Sequence, residues 1–198
     1  MSYPLGGVAL TRLLELPFDT VLDIGSGIGW HAERMRAAGK KVTEISLRPL
    51  RAGVVNMRYE EFNLDRALQF DCLWCCHCLE HQPNVNHFLA KMHRDLKPDG
   101  LLAITVPPLK PQIVGGHLTF WNAGLLLYNL ALARFDCRLA MIKKSEYNVT
   151  IIVRRKEIEL PELIYDSGDV TALMPYLPSG LAEGFNGDIE ELNWEGKG

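Results

Sequence analysis

The chain has 198 residues, 47% hydrophobic and 23% charged, a composition that fits one ordinary globular domain. Its formal net charge of -3 offers no overall attraction to nucleic acid or to an anionic membrane surface. The longest apolar run, around Leu125–Ala133, is broken by Asn129 and falls far short of the ~20 residues of a membrane helix.

Met1-Ser2-Tyr3-Pro4 lacks the basic and apolar stretches of a signal peptide. Thr20-Val21-Leu22-Asp23-Ile24 reads as a buried first strand. Only a short stretch precedes it, so no sizeable N-terminal lid is expected. Asp23-Ile24-Gly25-Ser26-Gly27-Ile28-Gly29 follows as a glycine-rich loop, and Trp30–Ala38 as a helix stopped by Gly39. Lys41–Leu47 is a second strand, halted by Pro49, and Val54–Tyr59 a weaker third. Phe70–Cys76 is a fourth strand, apolar on both faces. Asn84–Leu96 is a helix, followed by the turn Lys97-Pro98-Asp99-Gly100 and a fifth strand over Leu101–Val106. A leucine-rich helix spans Asn122–Arg134, and Phe135–Lys143 and Tyr147–Arg155 form a hairpin around Lys144-Ser145-Glu146. The basic pairs, Lys143/Lys144 among them, are expected at water-facing strand ends. From about Glu157 the chain loses periodicity, and residues 157–198 read as a tail wrapping a core of about 18–155 rather than as a second domain. Strands alternating with helices predict an α/β fold with a mostly parallel sheet.

The glycine loop carries the chemistry. Glycines let the main chain bend sharply and approach a ligand, and a following helix N-terminus favours electronegative groups. Open α/β sheets bind ligands at this carboxyl end. A dinucleotide fingerprint beginning at Gly25 would need glycine where Trp30 stands, and no Gly-Lys-Ser/Thr follows for a phosphate loop.

Val21–Gly29 resembles the first motif of class I S-adenosylmethionine-dependent methyltransferases, of the small type 11/23-like group. Phe70-Asp71-Cys72-Leu73-Trp74 with Cys78-Leu79-Glu80-His81 resembles their fourth-strand motif, and Leu96-Lys97-Pro98-Asp99-Gly100 the turn before their fifth strand. The resemblance implies a three-layer, Rossmann-like, seven-stranded sheet with an antiparallel last strand. It implies S-adenosylmethionine held by Asp23, Gly25, Ser26, Gly27 and Gly29, with Cys76 and His77 at the end of strand four. Strand two in the family ends on an acidic residue for the ribose diol. Here that position is Ser46, which lacks a carboxylate's two acceptors; Glu44 lies two residues earlier on the same face. Glu60, Glu61 and Asp65 are candidates for the adenine, or else an exposed acidic loop.

Five cysteines, four of them within Cys72–Cys78, are too crowded for a disulfide framework and fit a reducing, cytoplasmic setting. No second Cys-x-x-Cys closes a zinc site. His77-x-x-Glu80-His81 has the spacing of a class of zinc peptidases, whose fold context is absent. It is similar instead to the Glu-x-x-Glu-His of ubiquinone-pathway O-methyltransferases and small-RNA 2′-O-methyltransferases, which hold a divalent metal there. His117-Leu118-Thr119-Phe120-Trp121 is similar to a later segment of the RNA enzymes. That likeness implies a metal site of His77, Glu80, His81 and His117, against a reading in which Glu80 and His81 only cap a turn. His117, then His81, are the candidate bases, and Trp121, Tyr128 and Tyr147 the candidate acceptor-pocket walls. Asn/Asp-Pro-Pro-Tyr/Phe is missing after strand four, where Cys75-Cys76-His77-Cys78 stands, which disfavours base N-methylation in nucleic acid. The expected activity is O-methylation of a small or sugar-like molecule. The alternatives are a non-catalytic binding protein of the same fold and a metal-dependent RNA 2′-O-methyltransferase.

Overall fold

A computed structural model describes residues 5–63, 69–145 and 147–195. Asp65 and Glu146 therefore lie outside the described residues. The elements are α1 (Gly7–Leu14), β1 (Thr20–Ile24), α2 (Trp30–Ala37), β2 (Lys41–Ser46), β3 (Val55–Asn56) and β4 (Phe70–Cys76). They continue with α3 (Val85–Asp95), β5 (Leu96–Val106), α4 (Ala123–Leu132), β6 (Met141–Ser145), β7 (Asn148–Arg154), α5 (Asp169–Leu173) and β8 (Glu191–Leu192).

Among the described residues the eight strands form one sheet of order β3-β2-β1-β4-β5-β7-β6-β8. The first five are parallel, and β7 runs antiparallel to both β5 and β6. This is the Rossmann-like α/β fold the sequence predicts, with one strand more than the expected seven. The addition is β8, which comes from the tail and pairs antiparallel with β6 through Ile142↔Leu192 and Lys143↔Glu191. The same two-residue strand places Glu191 on Lys143, while Lys144 meets Asp188 and Glu190. The two lysines thus lie on the sheet's edge and are neutralised there.

Several boundaries differ from the expected ones for reasons of packing. Residues 7–14 form α1, because Ala9, Leu10 and Leu13 share a face that packs with Trp74 of β4 and with Trp194, just past β8. The third strand shrinks to two residues, then a 3-10 turn over Tyr59–Glu61 sends Tyr59 inward to hydrogen-bond Asp95. The ladder between β4 and β5 already starts at Phe70↔Leu96, across an irregularity that absorbs the Lys97–Gly100 turn. Residues 135–140 are buried at Phe135, Cys137 and Ala140 but are not strand; Cys137 N–H instead donates to Tyr176 O in the tail.

The core has two layers. α3, α4 and the tail residues Leu173, Leu177 and Leu181 cover one sheet face. α1 and Met35 of α2 cover the other, around Trp74. Asn84 and Asn122 cap α3 and α4 by accepting from the N–H groups of His87 and Leu125. Among the described residues no helix is long and apolar enough to cross a membrane.

Candidate functional site

The parallel register gathers the candidate residues at one end of the sheet. Ile24 pairs with Ile45 and with Cys75, so the glycine loop, Ser46 and Cys76 leave three neighbouring strands together. Gly25 N–H and Ser26 N–H both donate to Ile45 O, at 2.8 and 3.3 Å, which ties the loop to β2. Gly25, Gly27 and Gly29 take φ of +80°, +54° and +82°, a region that side chains with a Cβ rarely adopt. A Cβ on Gly27 would meet only Gly25 O, at 4.0 Å, so this bend leaves room for a ligand.

Beneath the loop Asp23 is 1% exposed, and its Oδ2 has no hydrogen-bond partner; the same is true of the buried Ser26 Oγ. Burial, then the charge of Glu44, push the Asp23 carboxyl up to about 8 against the opposing pull of Arg51 and Arg36. A buried carboxyl group lacking a donor beside an open glycine bend fits a ligand's ammonium group.

The carboxyl end of β2 is built differently. Glu44 is 3% exposed and held by Arg36 Nη1 at 2.7 Å and Arg51 Nη2 at 2.6 Å. Those arginines outweigh its burial and keep its carboxyl below the usual range. Glu44 is therefore engaged rather than free to take a diol. Ser46 Oγ, at the strand end, accepts from Arg48 N–H at 3.3 Å. Leu47, 57% exposed, stands next to it as an apolar surface. Glu60 lines a depression with Gln69, His87, Lys91 and Arg155.

Cys76 Sγ and His31 Nε2 both reach Leu5 O, at 3.5 and 2.9 Å, so the residue before α1 closes on the end of β4. Burial pushes the Cys72 and Cys76 thiols far up, which disfavours the thiolate form that zinc needs. Cys78 Sγ would touch a Cβ on Gly25 at 3.3 Å and so forms a wall of the glycine bend.

The histidine segment leaves β4 beside this bend. Glu80 is fully buried, and neither carboxylate oxygen has a hydrogen-bond partner of good geometry. Ligand atoms of Glu80, His81 and His117 lie within 4.8 Å of one another. His81 Nδ1 lies 2.7 Å from Gly116 O, which makes that nitrogen the donor, and Nε2 lies 3.8 Å from Glu80 Oε1. The loop after β5 is pinned over the cluster by Leu118 N–H donating to Glu80 O at 2.8 Å. His77, in left-handed backbone at φ +52°, stands outside that trio. Its Nε2 is 2.6 Å from Asn148 Oδ1 and its Nδ1 is 3.2 Å from Glu80 Oε1. Burial disfavours the charged ring, but Glu80 and Asn148 overcome it and raise His77 above its usual value. Two His nitrogens and one carboxylate suit zinc, manganese or iron better than magnesium, and the Gly116 carbonyl is the outer partner such a ligand needs.

His117 also lines a small recess with Lys110, Thr119, Phe120 and Tyr147. Of the expected acceptor walls, Tyr147 is here, stacked on His77 at 6.4 Å. Trp121 is buried, with its indole N–H on Thr119 Oγ1, and Tyr128 lies in a separate groove with Leu125 and Phe185. Sequence reasoning missed Arg36, Arg51 and Asn148. Each acts across elements, and none sits in a recognisable spacing.

A family model described as a methyltransferase domain matches residues 8–134. A curated ubiquinone biosynthesis O-methyltransferase of Aromatoleum aromaticum is 34% identical over 94 residues, covering 40% of this chain and 40% of that protein. One of Xanthomonas oryzae pv. oryzae is 29% identical over 106 residues, covering 46% and 44%. The chain thus spans less than half the length of these relatives. Among solved structures, the 1,6-didemethyltoxoflavin-N1-methyltransferase of Burkholderia thailandensis, with S-adenosylhomocysteine bound, superposes with a TM-score of 0.63 at 20% identity, covering 75% of this chain and 76% of that one. Human N-acetylserotonin methyltransferase in complex with S-adenosylmethionine gives 0.58 at 17% identity, over 76% and 51%. At those identities the likeness is one of fold.

Proposed function

The chain belongs to the methyltransferase domain family, with the class I fold, and from that premise we propose that it moves a methyl group from S-adenosylmethionine to a hydroxyl of a small molecule. The observation that carries the cofactor half is the buried Asp23 carboxyl, whose Oδ2 has no partner, under the left-handed glycines Gly25 and Gly27. The cofactor supplies an electrophilic methyl on a sulfonium, and transfer is an in-line displacement. The protein's task is to align donor and acceptor and to exclude water. Asp23 and the glycine bend hold the amino-acid end, Cys78 walls the bend, and Leu47 offers an apolar face to the base.

The acceptor half rests on Glu80, His81 and His117. These three are the candidate ligands of a divalent ion, which would lower the pKa of an acceptor hydroxyl. His117, in the recess with Tyr147 and Phe120, is also the candidate base. His77, engaged by Asn148 and Glu80, orients the Glu80 carboxylate in this reading. The curated relatives named as ubiquinone biosynthesis O-methyltransferases support an oxygen acceptor. The net charge of -3 speaks against an RNA acceptor. We further propose that residues 157–198 belong to the same domain as the core, since the tail contributes β8 to the sheet.

One observation favours a second reading, a binding protein of this fold without catalysis: Ser46 replaces the ribose carboxylate. The two readings separate in a methyl-transfer assay that measures S-adenosylhomocysteine release against catechols and sugar hydroxyls, with and without added zinc, manganese or iron. Turnover that chelator abolishes is the expected result. Cofactor binding without turnover on any hydroxyl would favour the second reading, and failure to bind S-adenosylhomocysteine at millimolar concentration would refute the first.

A further inference from the structure

Arg51 lies between β2 and β3, in a stretch without periodicity, yet its side chain reaches back over the glycine loop. Nη1 meets Glu33 Oε1 of α2 at 2.7 Å. Nη2 and Nε take the two oxygens of Glu44 at 2.6 and 3.2 Å, a forked geometry only a guanidinium offers. Nη2 also reaches Gly29 O at 3.4 Å. A Cβ on Gly29 would stand 2.1 Å from Arg51 Cζ, so the third glycine makes room for this guanidinium rather than for a ligand. Arg36 holds the same Glu44 from α2. Asp23 sits within this set of charges: Glu44 opposes its ionisation, while Arg51 and Arg36 favour it.

We propose that Arg51 is a positioning residue for the amino-acid end of the cofactor: it clamps Gly29 and Glu33 to β2 and neutralises Glu44, leaving Asp23 to pair with the ligand's ammonium. This rests on the cofactor reading above. In that arrangement recognition has moved away from the ribose, where Ser46 offers a single hydroxyl, and toward the methionine portion, where the buried Asp23 Oδ2 has no internal partner.

Titration calorimetry on the full chain tests the idea with two ligands. S-adenosylhomocysteine carries the amino-acid end; 5′-methylthioadenosine keeps base, ribose and thioether but lacks it. Arg51→Met is expected to weaken S-adenosylhomocysteine about tenfold or more, the scale of a lost charge-assisted contact, and to change 5′-methylthioadenosine less than about twofold. Arg51→Lys, with a point charge in place of the fork, is expected to fall between. In an Asp23→Asn background the Arg51→Met change should add almost nothing, because both act through one contact. Equal weakening of both ligands would place Arg51 at the ribose or in general stability and would overturn the proposal, as would no change in either. If Arg51→Met does not fold, Glu33→Gln removes one anchor from an exposed partner; it should lower affinity for S-adenosylhomocysteine alone with an unaltered melting temperature, and an unchanged affinity would overturn the clamp. A wild-type chain that binds neither ligand refutes the cofactor reading itself.

Discussion

Replacing Asp23 by asparagine should stabilise the empty protein and remove its response to the cofactor. Asp23 is 1% exposed, and its carboxyl is pushed up to about 8, first by burial and then by Glu44. Between the ordinary value of 3.8 and about 8 the folded chain keeps a proton that the unfolded chain has released. Stability therefore falls as pH rises through that window and is level above it. At about 1.4 kcal/mol per pKa unit, the cost at pH 7 is about 4 kcal/mol. The asparagine side chain is not ionisable, so it escapes that cost but buries an amide, and a net gain of about 2 kcal/mol is expected. For a chain of this size that is roughly 4–8 °C in melting temperature. Thermal denaturation of both proteins from pH 5 to pH 9 should show the gap opening up to about pH 8. The ligand reverses the sign. An ammonium beside Asp23 expels its proton, so wild-type affinity for S-adenosylhomocysteine should rise about tenfold from pH 6 to pH 7. A gap that does not vary with pH, or a D23N protein stabilised by S-adenosylhomocysteine as much as wild type, would refute the reasoning.

Ser46→Asp should tighten S-adenosylhomocysteine roughly tenfold in calorimetry, since a carboxylate accepts from both ribose hydroxyls; no gain would mean the diol does not reach β2. Glu80→Gln should reduce zinc or manganese retained after dialysis by about tenfold or more, read by elemental analysis, with little change in fold. Lys91→Met should cost about 3–5 kcal/mol in denaturant unfolding, because it strands Asp95, whose Oδ2 lies 2.6 Å from Lys91 Nζ in a buried pair. Gly124→Ala should lower the melting temperature by an amount equivalent to about 1–3 kcal/mol, because its Cβ would stand 2.6 Å from Gly187 Cα and push the tail off α4.

How much was readable in advance depends on whether the deciding contact is local. β1, the glycine loop and α2 were legible because the left-handed backbone at Gly25, Gly27 and Gly29 needs glycine wherever the rest of the chain goes. β4 and α3 were legible from apolar runs and from Asn84 as a cap. α1 carried a signal in Ala9, Leu10 and Leu13, but eight residues flanked by loops are marginal without the sheet face they cover. β8 has almost no local signal: two residues become strand because β6 presents an unpaired edge. Residues 135–140 look like strand by composition, yet Cys137 is held by Tyr176, far along the chain. At the site, Ser46 was visible in the sequence as a departure from the family pattern, whereas the contacts of Arg51 were not. Its partners Glu33, Glu44 and Gly29 come from α2, β2 and the loop, and only the fold brings them together.

The two halves of the site share one physical feature. Asp23 lies one residue before the end of β1 and Glu80 follows β4, adjacent strands, and each is a buried carboxyl group with at least one oxygen lacking a donor. Elsewhere the chain satisfies comparable groups: Asp95 takes Lys91 and Tyr59, Asp169 caps the N–H groups of Ile164 and Tyr165, and Glu44 takes two arginines. A chain that compensates those carboxylates could complete the other two, and leaving Asp23 and Glu80 incompletely partnered, Glu80 with only histidine nitrogens at 3.2 and 3.8 Å, costs folding stability. Such a cost recovers its value only when something outside the chain completes the contact. In the proposed reading an ammonium would complete Asp23, and a divalent ion would complete Glu80 with His81 and His117. The loss of folding stability and the gain of binding are then one term counted in two states. Ligand and metal should accordingly raise the melting temperature together by about the sum of their separate shifts if the two sites are independent. A shift larger than that sum would show that filling one site organises the other, through the Cys76-His77 segment that joins them.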